Sequence, residues 1–171
     1  MHIREEKAER HTLAVIVDNE PGILARIAGL FTARGYNIES LTVSEITVDK
    51  AVSRITIVTS ASPAMLEQIV AQLDRLVPVH RVHDLTAEGD HVERELALVK
   101  VRGTGDHRIE ALRLAEVYRA RVVDATTSSF VFEVTGGSSK IDKFVELMGE
   151  VGLIEVARTG IVAIARGKDA A

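Results

Sequence analysis

From Thr12 to Leu85 the apolar residues switch repeatedly between the period of a strand and that of a helix, which restricts the chain to a small set of α+β folds. Thr12 to Val17 is a β-branched apolar run. Asp18-Asn19-Glu20-Pro21-Gly22 follows it and marks a strand handing over to a helix. Ile23, Leu24, Ile27, Ala28, Leu30 and Phe31 share one helical face, and Gly35 supplies the stop. Tyr36 to Thr47 reads as a second strand and, past a turn at Asp49-Lys50, Val52 to Thr59 as a third. Ser62-Pro63 is an N-cap with proline at the first helical position, and Met65, Leu66, Ile69, Val70, Leu73 and Leu76 form the stripe of that helix. Val79 to Leu85 closes the set as a fourth strand.

The order is β-α-β-β-α-β, the ferredoxin-like split arrangement. A polar stretch containing Glu88-Gly89-Asp90 then reads as a linker, and the order repeats. Leu96 to Val101 is expected as a strand apolar on both faces. Ile109, Leu112, Ala115 and Val117 carry a helix, and Val122–Ala125 with Phe130–Val134 a strand pair. Ser138 and Ser139 are cap candidates for a helix striped by Ile141, Phe144, Val145 and Met148. Leu153–Val156 and Ile161–Ile164 read as one last strand broken near Gly160. The expected fold is therefore α+β, two ferredoxin-like βαββαβ units at 11–86 and 95–167, joined by a linker at 87–94. The tail from Lys168 is expected to fray.

Composition narrows the function. With 46% hydrophobic residues in 171, the chain can bury a core, and the scarcity of aromatics leaves that core to Ile, Val, Leu and Ala. A net charge of -4 gives no electrostatic case for nucleic acid. The absence of cysteine excludes disulfides, thiolate metal sites and a cysteine nucleophile. The charged start MHIREEKAER is unlike a signal peptide, and no apolar run nears the ~20 residues of a membrane span, so a soluble cytoplasmic protein is expected.

No catalytic constellation is present in the sequence. Gly103-Thr104-Gly105 lacks the third glycine of a dinucleotide fingerprint, since Arg108 stands there. Gly136-Gly137-Ser138-Ser139-Lys140 lacks the spacing of a phosphate loop. His80 and His83 are separated by an odd number along a predicted strand, so they point to opposite faces rather than to one metal. No Gly-x-Ser-x-Gly elbow frames a serine.

One place suits a ligand. The Asn19-Glu20-Pro21-Gly22 turn feeds the first helix, whose unpaired N–H groups and partial positive charge favour a carboxylate. Gly22 lets a ligand approach the backbone, Ile23 and Leu24 offer a small apolar wall, and Asn37 supplies a side-chain amide. That combination suits a free aliphatic amino acid. The plainer alternative stays open at this point: Asp18 or Asn19 caps the helix, and Gly22 only shapes the turn.

Asp18 to Leu24 resembles the ligand turn of an ACT domain, a ferredoxin-like amino-acid sensor. The run Gly29 to Val43, with Gly35-Tyr36-Asn37-Ile38-Glu39-Ser40-Leu41 at its centre, resembles the small subunit of acetolactate (acetohydroxyacid) synthase. So do Ser53–Val58, Glu67-Gln68-Ile69, Gln72-Leu73, Arg94–Val101 and Glu155–Gly160, so the likeness runs from about Thr12 to Gly167. The resemblance implies a non-catalytic regulatory subunit with an N-terminal ACT domain. Its partner would be a large catalytic subunit that holds thiamine diphosphate, magnesium and often FAD and condenses pyruvate in branched-chain amino acid synthesis. It further implies activation of that subunit, feedback inhibition by valine, and a homodimer in which ACT domains join sheets. Carried onto this chain, Asn19, Gly22, Ile23 and Leu24 bind valine from one protomer, and Asn37 and Ile38 from the other. No metal ligand and no catalytic residue is implied.

Two other readings compete. A free-standing ACT-type amino-acid-sensing regulator would want a helix-turn-helix or another basic reader, and the sequence has neither. A small acyl-phosphate hydrolase would want an arginine-bearing phosphate loop at the first strand–helix junction, where Asp18 and Glu20 stand instead.

Overall fold

The computed structural model describes residues 7–168. The first six residues of the charged N-terminal extension and the last three of the tail lie outside the described residues. Two compact units divide the chain: one takes the described residues to Val92 together with those from Ile161 onward, the other Glu93–Gly160.

The first unit begins with β1 (Glu9–Asp18), α1 (Ile23–Ala33), β2 (Ser40–Glu45), β3 (Val52–Ala61), α2 (Pro63–Asp74) and β4 (Val79–Asp84). Its sheet order is β2-β3-β1-β4, with β1 antiparallel to both β3 and β4 and β2 antiparallel to β3. Alternation in the central strands sends Leu13, Val15, Val17, Ile55 and Ile57 into one core with Ile27 and Phe31 of α1 and Leu66, Ile69 and Leu73 of α2. Ser62 caps α2 as expected, its hydroxyl accepting from the Met65 N–H at 3.4 Å. The second strand is shorter than its apolar pattern suggests. Tyr36 to Glu39 is a connection, with Tyr36 packing edge-on to Phe31 at 6.2 Å.

The stretch expected as a linker is more ordered than its polarity implied. Asp84 caps a four-residue helix, α3 (Leu85–Glu88), by accepting from the Thr86 and Ala87 N–H groups. Leu85 is buried with Ala14 and Ala163 on the sheet face opposite α1 and α2.

The second unit continues with β5 (His91–Arg102), α4 (Asp106–Val117), β6 (Arg121–Ala125), β7 (Ser129–Gly136), α5 (Ser138–Val151) and β8 (Leu153–Arg158). Its order β6-β7-β5-β8 reproduces that of the first unit position for position, so both units have the expected α+β ferredoxin-like topology. Val99, Val101, Phe132, Ile141, Phe144 and Met148 form its core. Gly152 turns α5 into β8 at φ 136°, where a Cβ would stand 3.0 Å from the Arg102 carbonyl, so glycine is required there.

Three local expectations fail. Leu98 is 39% exposed, so β5 is apolar on one face over this stretch rather than on both. The buried residues of α4 are Ala111 and Ala115, while Ile109, Leu112 and Val117 face outward; the small side chains let the helix sit close, and the larger ones are left outside. The N-cap of α5 is Gly137 without a side-chain bond, and Ser138 is already helical. The last two apolar runs are the expected strand broken near Gly160 (φ 84°): β8 and, beyond the break, β9 (Val162–Ala165) both pair with β5.

A polar knot fixes β8. Glu95, 5% exposed, accepts from Arg158 Nε at 2.6 Å and Nη2 at 2.8 Å, and Asp142 accepts from Nη1 at 2.7 Å. The Glu95 bond holds the Arg158 proton more firmly than usual, against partial desolvation, and Asp142 adds to it. Arg158→Leu should strand a buried carboxylate and destabilise the second unit by about 2 kcal/mol, allowing for the solvent that still reaches Arg158. Urea unfolding of wild type and variant at neutral pH measures this. Equal midpoints would contradict it.

Candidate functional site

The turn between β1 and α1 is held from outside itself. The Asp18 N–H donates to the Pro78 carbonyl and the Asn19 N–H to the Ala51 carbonyl, both at 2.8 Å. Asp18 Oδ1 lies 2.6 Å from His80 Nε2, so its side chain serves β4 rather than the helix. The Asn19 amide donates to the Lys50 carbonyl at 2.9 Å and to Glu45 at 3.3 Å, tying the turn to the β2–β3 hairpin. Neither residue caps α1. Gly22 occupies the N-cap position at φ 85°, a left-handed conformation suited to glycine, and no side chain caps the helix.

The backbone arithmetic at this helix start is informative. Ile23 N–H bonds back to Glu20 O at 3.3 Å, and the first helical bond is Arg26 N–H to Gly22 O at 3.0 Å. The N–H groups of Leu24 and Ala25 therefore lie ahead of the helical ladder, at its positive end. A Cβ on Gly22 would meet nothing within 4 Å, so the approach to this end is open.

The surroundings carry charge of both signs, with acid in excess. Glu20 is exposed on the turn, Glu45 sits 3.6 Å from Lys50, and Asp49 lies between them in sequence on the hairpin. The Thr47 hydroxyl, and then the Ala51 N–H, hold the Asp49 carboxyl below the usual carboxylate range. These carboxylates disfavour a bare dianion. A zwitterion, whose carboxylate meets the helix end while its ammonium answers the acids, suits the site better.

Of the residues expected here, Asn19, Gly22 and Leu24 gather at the turn, with Leu24 39% exposed. Ile23 does not line it: its side chain is 6% exposed in the core, so it anchors the helix start instead of forming a wall. Asn37 is exposed and Ile38 half-buried just before β2, with the Thr59 hydroxyl donating to the Asn37 carbonyl at 2.6 Å.

Strand register shows that these two groups do not meet within one chain. Ser40 pairs with Val58 and Val58 with Thr12, whereas Asp18 pairs with Val52. The start of β2 is thus level with Thr12 and the turn with Asp18, six residues further along β1. At ~3.3 Å per residue the two sets stand about 20 Å apart, at opposite ends of the sheet. Within one chain the expected residues therefore form two separate groups, the split that the family resemblance implies.

Among the described residues no group of three or more His, Asp or Glu could hold a metal ion, and no helix is long and apolar enough to cross a membrane. His80 and His83 face different carboxylates, Asp18 and Glu88.

Comparison with known proteins adds the following. Residues 13–81 match the AHAS small subunit-like ACT domain, and residues 94–167 match the family described as the small subunit of acetolactate synthase. A probable acetolactate synthase small subunit of Archaeoglobus fulgidus is 46% identical over 158 residues, 92% of this chain and 98% of that one. The small subunit of acetolactate synthase isozyme 3 of Escherichia coli is 45% identical over 159 residues, 92% of this chain and 96% of that one. The crystal structure of the acetolactate synthase small subunit of Thermotoga maritima superposes with a TM-score of 0.84 at 37% identity, covering 94% of this chain and 99% of that one.

Proposed function

We propose that this chain, which belongs to the acetolactate synthase small-subunit family, activates a separate thiamine-dependent catalytic subunit and makes that subunit answer to valine. The chain is the regulatory component and not the catalytic one. Thiamine diphosphate, magnesium and any FAD belong on the large subunit. We place the assembly in the cytoplasm.

The observation that carries the effector reading is the uncapped start of α1, with Asp18 and Asn19 both committed elsewhere. Valine fits it by chemistry. Its carboxylate takes the Leu24 and Ala25 N–H groups beside Gly22, its ammonium answers the acidic rim, and its short branched side chain meets Leu24. Ile23 fixes the helix start from beneath, and Asn19 fixes the turn against the hairpin.

The other half-site asks for a second copy. β2 is an edge strand, and Val43 and Ile46 on or beside it are 45% and 50% exposed. Two copies joined antiparallel along β2 bring the turn end of one sheet beside the β2 start of the other. Asn37 and Ile38 of the second copy then close the pocket opened by Asn19, Gly22 and Leu24 of the first. A ligand held by both protomers favours the pairing it fits, and the large subunit reads that pairing.

Mixing the purified chain with the large catalytic subunit of the same organism tests the partner. A stable complex in size-exclusion chromatography and a rise in acetolactate formation are expected. No complex and no rise would defeat the assignment.

A further inference from the structure

The chain leaves the first unit after Val92 and returns to it at Ile161. The returning peptide is held by side chains rather than by a strand ladder alone. Ser40 Oγ accepts from the Ile161 N–H at 2.9 Å, and Thr42 Oγ1 donates to the Ile161 carbonyl at 3.0 Å. Two residues on, Arg54 Nη2 donates to the Ala163 carbonyl at 2.9 Å; partial burial makes its proton less firmly held than usual. Ile161 and Ala163 are 5% and 7% exposed, with Ala163 packed on Ala14 and Leu85. Buried peptide groups need partners, and both polar groups of Ile161 take theirs from β2.

The clamp is close in sequence to the proposed effector half-site. Asn37 and Ile38 stand immediately before Ser40, with only Glu39 between. Little slack separates them. Thr59 holds the Asn37 carbonyl, the Glu39 N–H donates to Val58 O at 2.8 Å, and Ser40 then enters the β3 ladder. A displacement of Asn37 is therefore carried into Ser40 and Thr42, whose outer-face hydroxyls grip Ile161. Gly160, at φ 84°, is the pivot directly before the clamped residue and the last residue of the second unit.

We propose that the segment 161–165 is the transmitter of effector occupancy: a ligand fixed at Asn37 and Ile38 tightens the Ser40–Thr42 clamp on Ile161, and so fixes the peptide at which the second unit ends. The proposal rests on the effector site described above. Linkage makes it reciprocal, because whatever loosens the clamp must weaken the ligand by the same factor.

Amide exchange of Ile161, measured by NMR on the full chain with and without valine, reads the clamp directly. Calorimetry on the same samples reads binding. Valine is expected to slow Ile161 exchange about tenfold, and Thr42→Val to lose that protection and weaken valine by a similar factor. Ser40→Ala removes a single acceptor and gives a second reading if Thr42→Val folds poorly. Valine binding with unchanged Ile161 exchange, or unaltered affinity in both variants, overturns the transmitter and leaves the effector site standing. No heat and no shift with wild type overturns the effector site and the transmitter together.

Discussion

Gly22→Asp should abolish the response to valine while leaving the chain folded. The new carboxylate would stand at the start of α1, where the proposed effector carboxylate would bind. Two like charges ~4 Å apart repel by about 1 kcal/mol in open water and about 4 kcal/mol at a partly desolvated interface, so affinity should fall by roughly fivefold to a thousandfold. A Cβ at Gly22 meets nothing within 4 Å, and the cost to the fold is the left-handed backbone at φ 85°, about 1 kcal/mol and less for aspartate than for most residues. Calorimetric titration with valine, beside a thermal melt of the same protein, separates the two effects. Wild-type affinity in the variant would remove the helix start from the site.

The half-site geometry sharpens this test. Asn37→Ala should damage the other half, and each variant alone should be insensitive to valine. In a heterodimer of the two variants, one interface site receives the intact turn from the Asn37→Ala protomer and the intact β2 start from the Gly22→Asp protomer. The second site receives both defects. Co-expression should therefore restore binding at half the sites, an outcome that a pocket within one chain could not give.

The largest effect on stability is expected from Phe144→Ala. Phe144 is 0% exposed and sits against Phe132 at 6.3 Å edge-on and against Tyr118 at 5.5 Å. Its truncation removes a large buried side chain and two ring contacts, a loss of about 3–5 kcal/mol. That is a large share of what a small unit possesses. Urea unfolding followed by tyrosine fluorescence should become biphasic, Tyr118 of the second unit reporting an early phase and Tyr36 of the first a later one. Valine binding, which we propose for the first unit, should survive. Loss of both together would mean that the units do not hold separate cores.

Both βαββαβ orders were legible because each element carried its own period. Leu13, Val15 and Val17 alternate, Ile27 and Phe31 recur helically, and Phe130, Phe132 and Val134 alternate again. The turn and helix start were legible as well, since Pro21-Gly22 before an apolar helical face has few meanings. Their state was not. Whether Asp18 and Asn19 cap α1 depends on His80 and Lys50, which are distant in sequence. The side chain of Ile23 belongs to the helix period and went inward with it, so one residue could not serve both the core and the ligand.

Other misreadings have the same origin. On α4 the larger residues Ile109 and Leu112 outweighed Ala111 in the pattern, yet close packing took Ala111 together with the expected Ala115. Residues 161–164 were rightly read as the far part of a broken last strand, but nothing local says that Ser40, Thr42 and Arg54 hold it as well. Topology supplied what periodicity could not.

If the chain makes a catalytic subunit answer to a small amino acid bound at its first unit, acetolactate formation by the reconstituted large and small subunits will show it across a valine titration, with Gly22→Asp in parallel. Activity should fall with valine for wild type and stay flat, at the activated level, for the variant. Activity indifferent to valine with the wild-type chain, or equally sensitive with Gly22→Asp, would contradict the proposed regulation.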